Sequence, residues 1–230
     1  MYLNQKTNNL YQIKTMKLKF LSVALGIALS ATAITASAQK SYTEGVISYT
    51  ATAGGQTIDS QLFFKGDSSS TSGKRGPATI KTIMANGGDY LAILVDVPVA
   101  NIKKAAIGTP AELESFKDSE PQFTFTPSTE TKVINGFNCK KVAVKDTKSG
   151  QSYDAWVTND VTIPMTIITK YFAAAGGFPI QFTTLQMGQP LSITIKSITG
   201  DKVPAGSFSI PAGYDKITIT DLSTLGGGQH

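Results

Sequence analysis

Apolar and polar residues alternate through most of the chain after Ser41, a pattern typical of strands with one buried face. The alternation is clearest in residues 191–196, where Leu, Ile and Ile alternate with Ser, Thr and Lys. Residues 45–53 and 58–64 are rich in β-branched and aromatic side chains. They predict two strands joined through a Gly-Gly turn.

A second pair of strands is predicted at residues 79–84 and 90–97, around an Asn-Gly-Gly turn. The second of these strands is apolar on both faces, which indicates a strand covered on both sides. Between the two pairs, residues 66–77 are rich in Ser and Gly and predict a loop. Further strands are predicted later in the chain, at residues 121–126, 179–187, 207–211 and 216–222.

Helical structure is predicted in three short places. Residues 99–107 favour one or two helical turns. Thr109, Pro110 and Glu112 predict the start of a helix, because Thr suits the cap, Pro the first position and Glu the third. Residues 165–175 favour a helix, since apolar side chains recur at i, i+3 and i+7 and a Gly pair follows.

A hairpin over residues 134–164 is the central feature of the sequence. It contains the chain's one Cys and one Trp, Cys139 and Trp156. The chain then has about ten strands, mostly linked as hairpins, and sheets of that size rarely stay open and flat. The sequence therefore predicts a mainly β fold with a few short helices. We expect a curved antiparallel sheet, a partial or full barrel, with the helices packed in its open, concave face.

The first 38 residues predict a cleaved leader. Residues 16–38 combine a basic start, an apolar core and a small-x-small ending, as a secretory signal peptide does, and we place cleavage between Ala38 and Gln39. A transmembrane anchor is the alternative, but the apolar run is shorter than the ~20 residues that a span requires. Residues 1–15 are interpreted as a start codon assigned too early, 39–224 as a single domain, and 225–230 as a loose tail. The expected location is the periplasm or the exterior of a Gram-negative bacterium.

Removal of the leader changes the charge of the chain. The full sequence has 21 basic and 16 acidic residues, a net charge of +5. Four lysines and no acidic residue precede Gln39, so the mature chain has 17 basic and 16 acidic residues, net +1. A nucleic-acid partner is therefore not predicted, because phosphate binding requires a clustered basic face. A single Cys also excludes an internal disulfide.

Few residues are suited to catalysis. The one His, His230, lies in the tail, so no His-based acid, base or metal site is predicted in the domain, and no cofactor is expected. Carboxylate pairs remain as the basis of an alternative hydrolase hypothesis, namely Glu112 with Glu114 and Asp154 with Asp160. Cys139 has two interpretations, a reactive thiol or a small buried hydrophobe, and its strand position favours the second.

The central hairpin resembles that of a family of exported proteins, family 4412 of the domains of unknown function. The resemblance rests on Ile-Asn-Gly-Phe-Asn-Cys-Lys-Lys-Val at 134–142, Tyr-Asp-Ala-Trp-Val-Thr-Asn-Asp at 153–160, and Pro164. Phe-Ser-Ile-Pro-Ala-Gly-Tyr at 208–214 is similar to the closing strand of these proteins. The related GLPGLI family shares the hairpin pattern, and Gly-Phe-Pro-Ile at 177–180 stands in place of its signature, which is not intact here.

These families are similar in fold to the periplasmic lipoprotein-localisation carriers, the LolA-like group. The resemblance implies a half-barrel with helices in its open face, an apolar cavity and no known activity. The expected function is non-catalytic binding of a hydrophobic ligand, which is a lipid, an acyl chain or a lipidated polypeptide. The alternative is a structural or protein-interaction module of the cell envelope with a filled core. Under the first hypothesis the cavity is lined by the aromatic and Met side chains Phe123, Phe125, Trp156, Met165, Phe172, Phe178, Phe182 and Met187; under the second they pack a core.

Overall fold

Strands make up most of the computed structural model, which describes residues 39–186 and 189–226. The described residues form fourteen strands and two short α-helices. The helices are α1 (Pro110–Ser119) and α2 (Ile219–Gly226). The strands are β1 (Lys40–Ser41), β2 (Glu44–Ala53), β3 (Gln56–Lys65), β4 (Ser68–Arg75), β5 (Ala78–Ala85), β6 (Tyr90–Val97), β7 (Ile102–Ile107), β8 (Phe123–Ile134), β9 (Phe137–Asp146), β10 (Ser152–Thr158), β11 (Val161–Thr162), β12 (Phe178–Gln186), β13 (Gln189–Thr199) and β14 (Asp215–Thr218).

Twelve of these strands form one sheet, in the order β14-β7-β6-β5-β4-β3-β2-β13-β12-β10-β9-β8. Its neighbouring strands are antiparallel except β14 and β7, which are parallel. β1 and β11 form a separate parallel pair. The sheet is not closed into a barrel, so β14 and β8 are its two edges. The pairing of β8 with β9 is interrupted by a register shift between Pro127 and Thr131.

The sheet curls, because strands that are far apart in its order approach one another. In a flat sheet the turn before β9 would lie about 14 Å from β13, three strand spacings away. Asn135 in that turn nevertheless donates from Nδ2 to the carbonyl oxygen of Ile195 at 2.8 Å. In addition, the chain from Ile107 to Phe123 spans at most about 40 Å, whereas ten flat strand spacings would separate β7 from β8 by about 48 Å.

The main core lies on one face of the sheet, called here the inner face. Alternate residues of six strands, β2, β3, β9, β10, β12 and β13, point into it, including Ile47, Leu62, Val144 and Ile193. A covering loop, residues 163–177, packs against these strands through Ile168 and Phe172. The loop is fixed to β4 by a hydrogen bond of 3.0 Å from the Ile167 amide to Ser69 Oγ.

Aromatic rings fill the centre of this core. The Phe172 ring lies 4.7 Å from that of Phe182, 5.6 Å from that of Phe123 and 5.7 Å from that of Phe125. Phe123 and Tyr171 meet edge to face at 6.1 Å. Tilted and edge-to-face contacts at these distances are favourable for aromatic pairs. This aromatic cluster joins the edge strand β8 to β12 through the covering loop.

A second, smaller core lies on the opposite, outer face of β5, β6 and β7. It consists of Ile83, Ala92, Leu94 and Ala105. A crossing segment, residues 200–214, covers it on its way from β13 to β14 at the far edge, with Phe208, Ile210 and Tyr214 packed inward. Hydrogen bonds fix the crossing segment, from the Val203 amide to Glu44 at 2.8 Å and from Lys81 to the Gly206 carbonyl at 3.0 Å.

The predicted helix start at Thr109 is confirmed. Thr109 and Glu112 form a capping box at the start of α1. The second oxygen of the same carboxylate, Glu112 Oε1, accepts from Thr220 N at 2.8 Å and Thr220 Oγ1 at 2.6 Å at the start of α2. One carboxylate therefore caps two helices.

Packing of helices inside a concave face is not confirmed. α1 buries none of its residues, and α2 lies beside β7 and β14. α1 connects strands near opposite edges of the sheet, and Leu113 approaches the inner face at Gly108. A methyl group on Gly108 would come within 2.7 Å of Leu113 Cδ2.

Five local predictions were wrong in whole or in part. Residues 66–77 contain strand β4 rather than a loop, because Ser69 and Ser70 are buried and paired with strands on both sides. Residues 99–107 are mostly strand β7, and residues 165–175 contain one 3₁₀ turn rather than a helix. Of the late strands, 207–211 lies in the crossing segment, and only the first part of 216–222 is strand before α2 begins.

Replacement of Glu112 by Gln is predicted to lower the melting temperature in a pH-dependent way. Hydrogen bonds from the Thr220 side chain, the Thr109 amide and the Thr220 amide lower the pKa of Glu112 from 4.5 to about 2. A lowered pKa in the folded state stabilises the protein above the unfolded pKa, and this contribution is lost as pH falls towards 2. The difference between wild type and Glu112→Gln, followed by circular dichroism, should thus be full above pH 5 and vanish near pH 2. Glu114→Gln, on the exposed side of the same helix, should leave the melting temperature unchanged.

Truncation of Phe172 is predicted to destabilise the protein strongly. Phe172 is 2% exposed, and loss of a buried Phe side chain typically costs about 3–5 kcal/mol. Phe116, 40% exposed on α1, is the control, and its truncation should cost clearly less, about 1 kcal/mol, because less of its apolar surface is buried. Urea unfolding of Phe172→Ala and Phe116→Ala measures both free energies. Equal effects would show that the aromatic cluster does not anchor the core.

Candidate functional site

The predicted cavity residues lie mainly in the filled part of the inner face. Phe123, Phe125, Phe172 and Phe182 form the aromatic cluster described above, and their rings contact one another. Phe178, at the start of β12, is half-buried against the same core. In this state the rings fill the space that a ligand would otherwise take.

Trp156 and Met165 lie outside the aromatic cluster, although Trp156 packs against the same core. Trp156 is half-buried and carries the Lys132 ammonium group 4.0 Å from its ring centre. Lys132 also donates to Gln181 Oε1 at 3.0 Å, so its position over Trp156 is fixed from two sides. Met165, in the covering loop, is 51% exposed. Met187 lies outside the described residues.

The residues considered for chemistry have structural contacts. Burial raises the pKa of the Cys139 thiol to about 11, so the thiol is protonated at neutral pH and behaves as a small buried side chain. Asp160 accepts from the Asn138 amide at 2.7 Å. Asp154 pairs with Lys141 at 3.0 Å, and Glu112 caps the two helices. Three of the four carboxylates named in the hydrolase hypothesis therefore contact strands or helices, and the fourth, Glu114, is exposed.

The inner-face side chains are less buried on β4, β5 and β6 than on β2 and β3. In β4, β5 and β6 the alternation of side chains places Gly73, Ile80, Thr82, Ile93 and Val95 on the inner face. We call these five residues the open strip. Each is half-buried rather than buried, whereas the inner-face residues of the neighbouring β2 and β3 that surround the aromatic cluster are fully enclosed.

The space directly above Gly73 is open. A side-chain carbon on Gly73 would have no heavy atom of a non-adjacent residue within 4 Å. The strip continues into two large apolar side chains that are exposed to water, Ile58 on β3 (51%) and Ile102 on β7 (41%). Single exposed hydrophobic residues are common, but a contiguous set on one face marks an interaction surface.

The sequence of β6 already indicates this surface. Residues 90–97 are apolar on both faces and were predicted to be covered on both. On the outer face of β6, Ala92 and Leu94 are indeed buried under the crossing segment. On its inner face, Leu91, Ile93 and Val95 remain half-buried. β6 therefore has the composition of a strand that is buried on both faces, but only its outer face is fully buried, under the crossing segment.

Two surface clefts have linings of mixed polar and apolar character. A cleft of about 230 Å³ is lined by residues that include Lys40, Tyr42 and Asn135. A second, of about 440 Å³, includes Ser48, Gln61 and Ser72. Lys196 lines both and pairs with Asp59 at 2.7 Å. Neither cleft includes a residue of the open strip.

Neither helix in the described part of the chain has the length and apolar character that a membrane crossing requires. Within residues 39–186 and 189–226, no three His, Cys, Asp or Glu side chains are arranged as a metal site.

Comparison with known proteins gives distant structural similarities. No protein-family model and no curated protein matches the sequence. The chain is similar to a solved structure of PNGF-II, at 14% identity and a TM-score of 0.47, over 79% of this chain and 32% of that one. It thus spans about a third of that protein. It is also similar to a DUF1329 family protein from Desulfovibrio piger, at 13% identity and a TM-score of 0.26, over 73% and 90% of the two chains. The resemblance of the central hairpin to family 4412 stays a prediction, and what the chain binds must be argued from its own residues.

Proposed function

We propose that this chain is an exported, non-catalytic binding protein that holds a lipid, an acyl chain or a lipidated polypeptide on the inner face of a LolA-like half-barrel. The observation that supports it most directly is the open strip, in which the apolar side chains of Ile80, Ile93 and Val95 on β5 and β6 are half-buried, while the opposite face of these two strands is buried under the crossing segment. A hydrophobic ligand supplies the missing cover.

The energetics favour an extended ligand over a small one. Burial of apolar surface contributes about 25 cal/mol per Å², whereas association costs at least about 4 kcal/mol in lost freedom. A ligand must therefore cover more than about 160 Å² of apolar surface before binding is favourable. One or two side chains cannot supply this area, but a chain lying along several strands can.

The binding surface proposed here differs from the cavity inferred from the sequence. Binding within the aromatic cluster would require the covering loop to move, because Phe172 occupies the space between Phe123 and Phe182. Binding on the open strip requires no such rearrangement. Met165 lies two residues before the Ile167–Ser69 hydrogen bond, at the boundary between the two regions.

Gly73→Trp is predicted to abolish binding of a hydrophobic dye and of co-purifying lipid. The added indole would occupy the open space above Gly73, and Gly73 has no positive φ angle that would strain a substitution. The matched control is Ser72→Trp, which puts the same ring on the exposed outer face one residue away. Dye fluorescence and native mass spectrometry measure the two variants, and circular dichroism verifies folding. Equal binding by wild type and folded Gly73→Trp would contradict the proposal.

A second function is favoured by the filled aromatic cluster. A closed core suits a structural or interaction module of the cell envelope that has no small ligand. In that case affinity purification from envelope extracts would recover a protein partner, and native mass spectrometry would show no lipid on the wild-type chain. Recovery of lipid that Gly73→Trp removes would exclude this alternative.

Export is predicted to remove the first 38 residues. The protein recovered from the periplasmic fraction of a Gram-negative host should begin at Gln39, which intact-mass measurement tests. A periplasmic product that retains residues 16–38 would contradict the signal-peptide interpretation.

A further inference from the structure

The open strip has a direction and a length. Its strands run between the α1 end of the sheet, where Leu113 lies against Gly108, and the opposite end, where Arg75 pairs with Ala78 across the β4–β5 hairpin. Inner-face positions of β5 extend from Ala78 to Met84, six residues or about 20 Å of strand. One acyl chain spans about half of a ~30 Å bilayer core, so a single long chain fits along it.

The two ends of the open strip differ in charge. Residues 109–120, which contain α1, carry the carboxylates of Glu112, Glu114, Asp118 and Glu120 against the single cation Lys117. The hairpin at the opposite end carries two cations, Lys74 and Arg75. The nearby carboxylates of Asp59 and Asp96 pair with Lys196 and Lys103. A cation that has no such partner at this end favours an anionic group beside it.

Arg75 is the cation positioned for this role. Within β4 it shares the inner face with Gly73, whereas Lys74 lies on the outer face. The other inner-face cation at this end, Lys104, pairs with Asp215 at 2.9 Å. Among the described residues no ion pair involves Arg75, and the nearby carboxylate of Asp59 pairs with Lys196.

We infer that the ligand is a long-chain fatty acid, which lies along the open strip with its carboxylate at Arg75 and its methyl end towards α1. The inference rests on the proposed function and specifies its ligand. A planar guanidinium group matches a carboxylate with two parallel hydrogen bonds. The apolar side chains of the strip cover the acyl chain, and Arg75, which has no ion-pair partner among the described residues, balances its single charge.

The test compares palmitate with hexadecanol, an uncharged molecule of the same chain length, by displacement of a bound hydrophobic dye from the delipidated protein. Wild type should bind palmitate more tightly. Arg75→Gln should weaken palmitate binding about two- to fivefold, the range for a solvent-exposed ion pair, and leave hexadecanol binding unchanged. Lys74→Gln removes the same charge on the outer face and should change neither.

Other outcomes distinguish the inference from the proposed function. If palmitate and hexadecanol bind equally, or if Arg75→Gln and Lys74→Gln weaken palmitate equally, the carboxylate site at Arg75 is wrong while hydrophobic binding stands. If neither amphiphile displaces the dye from the folded wild-type protein, both the inference and the proposed function are wrong.

Discussion

A helix of ten residues must connect β7 to β8, two strands near opposite edges of a twelve-stranded sheet. This connection is shorter than the flat width of the sheet, so the sheet has to bend until its two ends approach each other. The Asn135–Ile195 hydrogen bond fixes the bend on one side. The inner face and the aromatic cluster both exist because of this curvature. The helix connects these strands, but the edge strands β14 and β8 do not pair with each other, so the curved sheet stays open on one side.

The curled sheet is filled unevenly. Around β9, β10, β12 and β13 the covering loop inserts Phe172 and leaves no room between the strands and the loop. Among the described residues, the covering loop reaches β4 through the Ile167–Ser69 hydrogen bond at the start of that strand, whereas Gly73 towards its end has open space above it. The same sheet thus contains both a packed core and an unoccupied apolar surface. This division explains how a stable domain can expose hydrophobic side chains without losing its own core.

Elements that are specified by residues within one turn could be predicted from the sequence. Elements that depend on packing against distant strands could not. The start of α1 was predictable because Thr109, Pro110 and Glu112 act within one turn. Strand β4 was not, since Ser69 and Ser70 resemble a loop until neighbouring strands bury them. The candidate site shows the same limit. Large aromatic residues are compatible with either a cavity lining or a packed core, and the sequence alone does not separate the two. The open strip consists of Ile, Val, Thr and Gly, which resemble any strand until the elements that cover it are known.

An open sheet also has two edge strands, whose unpaired backbone groups can pair with a strand of another molecule. β14 has only four residues, so it offers a short template. β8 is twelve residues long, but Pro127 lacks an amide donor, and the shift between Pro127 and Thr131 breaks the regular ladder. Irregularity in β8 therefore protects against aggregation through added strands. The sheet can thereby leave part of its inner face open without offering a long regular edge to which a further strand could pair.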